Sequence, residues 1–386
     1  MRAWQRFGVW SLHLAFADTR FILCAIESER AGYDPYRTNP CDPWHRVMNY
    51  PRPWLSLSVF GLGERHTVPL GIGLALIFYL SLLVLLKPLT LQEGSFYSFL
   101  VCSPAVMLGV ERGNVDLLIF ALLALAILLF QRLGTRSVWP YGVIIGCSLL
   151  KLYPIFAMAV ALRDRSRTVA LSIIGAAAAM FLSYLLWIRS DLAAIVRNTW
   201  QQAFAISFGS KVIFLIDIPK SAPTRSILLM NILNFDPRVG AINTTAWSLA
   251  FVAAVTAVAI VLARRTSTPL FTTETAHSMV IGMSIYTGIF AFLGTNFNYK
   301  LVFLIFAVPQ MLQWIRCQNA YRSFAFTFLT VMTLAFWLSA QAVYWLFLLK
   351  ELMNWCLFGM STVVLLQFIF ASLSSKRSLD HQSLVR

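Results

Sequence analysis

The chain is 386 residues long, 59% hydrophobic and only 12% charged, with a mean hydropathy of +0.71. These values lie far from those of water-soluble domains and describe a polytopic membrane protein. The net charge of +15 does not indicate a nucleic-acid partner, because the basic residues stand singly between apolar runs, as the bias of Lys and Arg toward one membrane face requires.

The first apolar stretch, residues 3–17, is shorter than the roughly 20 residues that cross hydrocarbon, carries Arg6 and His13, and ends at Asp18. No small-residue cleavage site precedes the polar loop, so no signal peptide is expected. Residues 18–67 form that loop, with an amphipathic turn or two, the turn Gly32-Tyr33-Asp34-Pro35-Tyr36, and then a segment dense in Pro, Trp, Tyr and Arg. Six acids and six arginines fall between Asp18 and Arg65. A clear span covers 68–86 and stops at Lys87-Pro88. The next, 96–110, ends at Glu111-Arg112-Gly113-Asn114, and a further one, 115–130, has Asp116 near its start.

Residues 138–162 read as two short helices meeting at Lys151, because Pro154 disfavours helix before it and Lys151 is costly at the centre of one span. Two crossings here also put Arg163, Arg165, Arg167, Arg264, Arg265, Arg316, Arg322, Lys376 and Arg377 on the side of the N-terminus. A span near 168–188 leads into a second outer loop, 189–244. There the apolar residues after Asp191 recur at helical spacing, as in an amphipathic helix lying along the interface. Further spans are expected at 245–263, 277–293, 300–315, 323–349 and 352–372. The fold class is therefore all-α, a single transmembrane domain over 1–373 with about twelve membrane helices, both termini cytoplasmic, and a disordered tail over 374–386.

The six cysteines show neither CxxC nor metal-ligand spacing. Cys24 and Cys41 alone are placed to pair, and only if their loop faces an oxidising compartment. On this topology Asp18, Glu27, Glu29, Asp34, Arg52, Glu111, Arg112, Asn114, Asp116, Lys151 and Lys300 converge on the outer face. Carboxylates there suit general-base work, and cations suit an anionic group at the membrane surface. Each also has a plainer reading: Asp18 as a helix-end acid, Arg112 and Lys151 as snorkelling anchors, Asp116 as a structural group needing a partner such as Arg112, and Glu27 and Glu29 as a solvated helix face. Tyr36, Trp44, Tyr50 and Trp54 suit either stacking on a sugar or an interfacial aromatic belt. No phosphate-cradling glycine loop, HExxH or GxSxG stands in a usable context.

The ordered set of an acid near residue 18, Gly32 to Tyr36, Tyr50-Pro51-Arg52-Pro53, Arg112 to Asp116, Lys151 to Pro154 and Asn298 to Phe303 resembles the pattern of glycosyltransferase family 87. These are integral-membrane transferases of the C type (GT-C), a group that includes polyprenol-phosphate-mannose-dependent α-mannosyltransferases. The chain departs from the pattern where Arg52 splits the usual Pro-Pro and in its short first helix. The resemblance implies inverting transfer of a hexose, usually mannose, from a polyprenyl-phosphate donor to a glycolipid or glycan acceptor. Transfer would take place on the outer face of the cell (inner or plasma) membrane, without cofactor or metal. It also implies Asp18 as base, Arg112, Lys151 and Lys300 on the donor phosphate, and Tyr36, Tyr50, Arg52, Asn114, Asp116 and Tyr153 around the substrates. The rival classes are a transporter or flippase of lipid-linked sugars and a non-catalytic assembly partner. The former should show repeated broken helices, and the sequence has one broken pair.

Overall fold

The computed structural model describes residues 2–134, 137–163, 166–199, 207–214, 241–266, 273–317, 320–338 and 344–383. Much of the second predicted outer loop, 200–206 and 215–240, lies outside the described residues. In chain order the helices are α1 (Arg2–Arg6), α2 (Ala17–Arg30), α3 (Thr67–Leu85), α4 (Leu91–Val101), α5 (Pro104–Arg112), α6 (Asp116–Leu133), α7 (Trp139–Leu150), α8 (Arg167–Trp187), α9 (Arg189–Thr199), α10 (Ala241–Arg265), α11 (Thr273–Gly288), α12 (Val308–Arg316), α13 (Arg322–Trp337) and α14 (Tyr344–Ser383). Two-residue strands β1 (Ser207–Phe208) and β2 (Asn296–Phe297) pair antiparallel. Long 3₁₀ segments cover Arg52–Phe60, Tyr153–Leu162 and Asn298–Ala307.

Several boundaries follow directly from cap chemistry. Thr90 accepts from the Glu93 amide at 3.2 Å while Glu93 reaches back to the Leu89 amide at 2.8 Å, a reciprocal cap that starts α4. Pro104 opens α5, and Gly113 closes it at φ 56, a left-handed conformation in which a Cβ is costly.

Six described helices are long and apolar enough to cross a membrane, and a seventh results if α4 and α5, bent by 55° at their junction, count as one. Among the described residues the expected twelve are not confirmed. Residues 3–17 are not a helix: α1 stops at Arg6, and Phe16 sits in the left-handed region at φ 55. Asp18 consequently begins a helix instead of ending one. Segment 96–110 is part of the bent pair. The expected spans 323–349 and 352–372 are redrawn as α13 and the long α14, which runs unbroken through Lys350 and Glu351; there the Lys350 ammonium donates to the Ser207 carbonyl and pairs with Glu351, and Asn354 donates to the Lys350 carbonyl. Segment 300–315 is a 3₁₀ turn stack continued by the nine residues of α12, every residue of Asn298–Ala307 being buried. Its apolarity reflects enclosure by protein, since a helix that is apolar all round lies inside a bundle as readily as in lipid.

The break at Lys151 is present as expected. The backbone leaves helix after Leu150, and the carbonyls freed by the break are taken up from outside: Tyr184 donates to Leu149 at 2.8 Å and Trp54 to Leu150 at 2.9 Å. These bonds make a polar interruption tolerable deep in an apolar bundle. The largest hydrophobic cluster joins α6, α7, α11, α13 and α14 around 298–308, with Phe120 stacked on Phe306 at 4.2 Å. A smaller one ties α2 to Tyr36, Tyr50, Trp54 and Ile195 of α9. The helix expected after Asp191 is thus packed against the first loop.

Candidate active site

The smaller cluster holds α2 so that Asp18 faces the junction of α5 and α6. Phe16 is the wedge that sets this position. Its amide donates to the Glu111 carbonyl at 3.2 Å, and its ring fills space left open by Gly71 and Gly113. A Cβ on Gly113 would lie 2.5 Å from Thr19 Oγ1 and 3.0 Å from the Phe16 ring, on top of a positive φ. Gly113→Ala should therefore cost about 1–3 kcal/mol and displace Asn114 from Asp18. A fall in melting temperature accompanied by loss of sugar transfer is the expected result; unchanged melting would refute the wedge.

Asp18 is held from three directions. Its Oδ2 accepts from Asn114 Nδ2 at 2.6 Å, and its Oδ1 lies 3.3 Å from Arg46 Nη1 and 3.7 Å from Arg112 Nη1. The bond to Asp18 orients the Asn114 amide. The oxygen left on its other side caps α6 by accepting from the Asp116 amide at 2.9 Å, and it lies 3.4 Å from Lys151 Nζ. Lys151 in turn is paired with Asp116 Oδ1, which also accepts from the Tyr153 hydroxyl at 2.5 Å. The anticipated partner of Asp116 was Arg112; Lys151 takes that place, because the broken helix carries its ammonium to the N-terminus of α6, while Arg112 turns toward Asp18 and Glu111. Asp116 Oδ2 is buried and has no hydrogen-bond partner in this structure.

Aromatic rings complete the cage. Lys151 Nζ lies 4.9 Å from the centre of Tyr50, 5.9 Å from Tyr153 and 6.0 Å from Tyr299, and Lys300 Nζ lies 5.0 Å from Tyr153. Lys300 also donates to Asn296 Oδ1 at 2.9 Å, which ties it to β2. Burial, with Asp18 adding to it, pushes the Tyr50 hydroxyl well above its ordinary range, so Tyr50 stays a neutral hydrogen-bonding group.

Of the residues singled out in the sequence, Asp18, Tyr50, Arg112, Asn114, Asp116, Lys151, Tyr153 and Lys300 are thus brought together. Tyr36 and Arg52 are not. Arg52 is locked bidentate on Asp191 of α9 at 2.7 and 3.0 Å, and Tyr36 donates to the Tyr50 carbonyl at 2.9 Å, so both brace the loop from behind. Asp34 accepts from the Tyr36 amide at 3.1 Å and closes the turn. Two residues that sequence reasoning passed over also belong to the cluster. Arg46 bonds Asp18, the Ala17 carbonyl and Asp42. Tyr299, beside the noted Lys300, stands over Lys151. The adjacency of Tyr299 to Lys300 was a readable signal; nothing in sequence singled out Arg46 among the loop arginines.

Beside this cage a groove of about 540 Å³ runs between α6, α7 and α8. It is lined by Pro53, Leu122, Val143, Leu150, Tyr184 and Trp187. A membrane chain with a buried acid, several cations and an adjoining apolar groove matches the model of glycosyltransferase family 87 over residues 65–286. The chain belongs to glycosyltransferase family 87. It is therefore a glycosyltransferase, which binds a sugar donor and an acceptor, and its apolar helices mark it as a membrane protein. The match takes in Arg112, Asn114, Asp116, Lys151 and Tyr153; Asp18, Tyr36, Tyr50 and Arg52 precede it and Lys300 follows it. None of the curated proteins and none of the solved structures matches the chain.

Proposed function

We propose that this family 87 enzyme transfers a hexose, mannose in the first instance, from a polyprenyl-phosphate donor to a lipid- or glycan-linked acceptor at the outer face of the cell membrane, with inversion. The observation that carries the proposal is a buried acid, Asp18, set among cations next to an apolar groove: Arg46 and Arg112 flank the acid, and Lys151 and Lys300 flank Tyr153. A polyprenyl phosphate needs both parts, cations for the departing phosphate and an apolar surface for the chain. Asp18 takes the proton of the acceptor hydroxyl as its oxygen bonds to the anomeric carbon, while the bond from that carbon to the phosphate oxygen breaks and the charge passes to Arg112, Lys151 and Lys300. The chemistry calls for no cofactor or metal ion.

Purified enzyme should transfer mannose from a polyprenyl-phosphate donor, fail with a nucleotide sugar, and be indifferent to chelators. Robust transfer from a GDP- or UDP-sugar in lipid-free conditions would sink the donor class.

Orientation is a separate matter, tested by labelling. With the cell membrane as location and the 18–67 loop outside, a cysteine at Arg37, on the exposed part of that loop, reacts with a membrane-impermeant maleimide in intact cells, and one at Arg265, at the end of α10, does not. Reaction of both from one side would remove the two-crossing reading of 138–162.

A further inference from the structure

Among the described residues, the transfer site leaves unused a cluster of reactive side chains in the first loop. Cys24, wholly buried in α2, and Cys41, half-buried in the loop, are unbonded in this structure, and their sulfurs and a carboxylate oxygen of Glu64 all lie within 4.8 Å of one another. The Cys41 thiol donates to Glu27 Oε2 at 3.4 Å, Glu27 Oε1 accepts from the Glu64 amide at 2.8 Å, and Glu64 is paired with Arg20. Such a group reads either as a divalent-cation site or as a thiol pair ready to be joined. The charges decide between them. Each carboxylate already has a partner, whereas a cation would require two thiolates, one of them wholly buried, beside two carboxylates. A disulfide introduces no charge at all.

The segment carrying Cys41 is also the one that cages Asp18. Ser28 on α2 donates to Asn39 Oδ1 at 2.8 Å, Asn39 donates to the Arg46 carbonyl at 3.1 Å, and Asp42 and Arg46 are bonded to each other. We propose that Cys24 and Cys41 are joined by a disulfide in the working enzyme, and that this cross-link holds the Asp42–Arg46 turn against Asp18. The inference rests on the outward placement of residues 18–67 proposed above, because such bonds persist in oxidising compartments.

The bond forms by exchange with a disulfide-bearing oxidant. The more accessible Cys41 gives its proton to Glu27 and attacks one sulfur of the donor, releasing one donor thiol; Cys24 then attacks the Cys41 sulfur, releasing the second. Two thiols are oxidised and one donor disulfide is reduced. Burial, with Glu27 adding to it, pushes the Cys41 thiol up to about 11. A thiol so reluctant to ionise is also a poor leaving group, which makes the finished bond slow to reduce.

The test uses the full chain, extracted from membranes in N-ethylmaleimide and digested without reductant. A cross-linked peptide pair containing Cys24 and Cys41 is expected, with Cys102, Cys147, Cys317 and Cys356 alkylated after denaturation. Both Cys24 and Cys41 alkylated in an active preparation would overturn the cross-link and leave the transferase reading standing. So would stoichiometric zinc that shields both thiols until a chelator removes it. An intact link in protein that transfers no sugar would do the reverse, sparing the link and removing the transferase reading. Reduction with dithiothreitol should slow the parent several-fold while leaving Cys24→Ser/Cys41→Ser, already slowed, unchanged. If mapping shows the link opened and the parent rate is unaltered, the cross-link does not position Asp18.

Discussion

Asp18→Asn should abolish sugar transfer while leaving the protein folded and able to bind its donor. The substitution keeps the shape of the side chain and an oxygen to accept from Asn114, and removes only the basicity. The neighbours do not depend on the lost charge. Arg46 retains Asp42 and the Ala17 carbonyl, and Arg112 retains Glu111. General-base assistance is typically worth about 10²- to 10⁴-fold, so turnover should fall by at least that much. Melting and binding of a polyprenyl-phosphate sugar should stay close to the parent's. Asp116 is the control, since it is a buried acid of the cage that lies against Lys151 and has an unpartnered oxygen, Oδ2. If Asp18→Asn turned over within about threefold of the parent while Asp116→Asn or Glu27→Gln was dead, the base would be misassigned.

Lys151→Ala produces the other large effect, and it acts on stability and activity together. Lys151 and Asp116 are both nearly inaccessible, so removing the ammonium leaves a buried carboxylate whose remaining support is the Tyr153 hydroxyl. Breaking a buried pair in this way costs about 3–5 kcal/mol. Transfer should fall as well, because in the proposed reaction the same charge meets the donor phosphate in ground state and transition state. The two losses are separable. Lys151→Met/Asp116→Asn leaves no unpaired charge and should recover most of the melting temperature of the parent while remaining inactive. Recovery of transfer in the double variant would show that Lys151 serves the fold alone. Arg112→Ala, which leaves Asp18 with Arg46, should weaken donor binding and turnover with less damage to stability.

The sequence by itself determined the class of the protein and marked many of the residues that gather in its candidate site. Composition established an all-α membrane chain, because apolar runs of such length have no other stable setting. Pro154 and Lys151 established the break after α7, because the ring and the buried ammonium each oppose a continuous helix there. The cost of placing ionisable groups in an apolar bundle marked Asp18, Arg112, Asp116, Lys151 and Lys300 in advance, and the ordered motifs pointed to family 87. What only the tertiary structure decided is how these groups are used. Hydropathy cannot distinguish a segment facing lipid from one enclosed by protein, so 300–315, whose first part is wholly buried, read as a span. The partners of a buried charge depend on which chain ends meet, so Lys151 instead of Arg112 neutralises Asp116, and Arg46, one loop arginine among several, arrives at Asp18. Arg52 and Tyr36, as suitable for a substrate as any residue in the loop, are drawn off to Asp191 and the Tyr50 carbonyl. The turn at Phe16 and Gly113 that makes Asp18 the start of a helix depends on a ring fitting between two glycines remote from each other in sequence, a contact to which no local pattern corresponds.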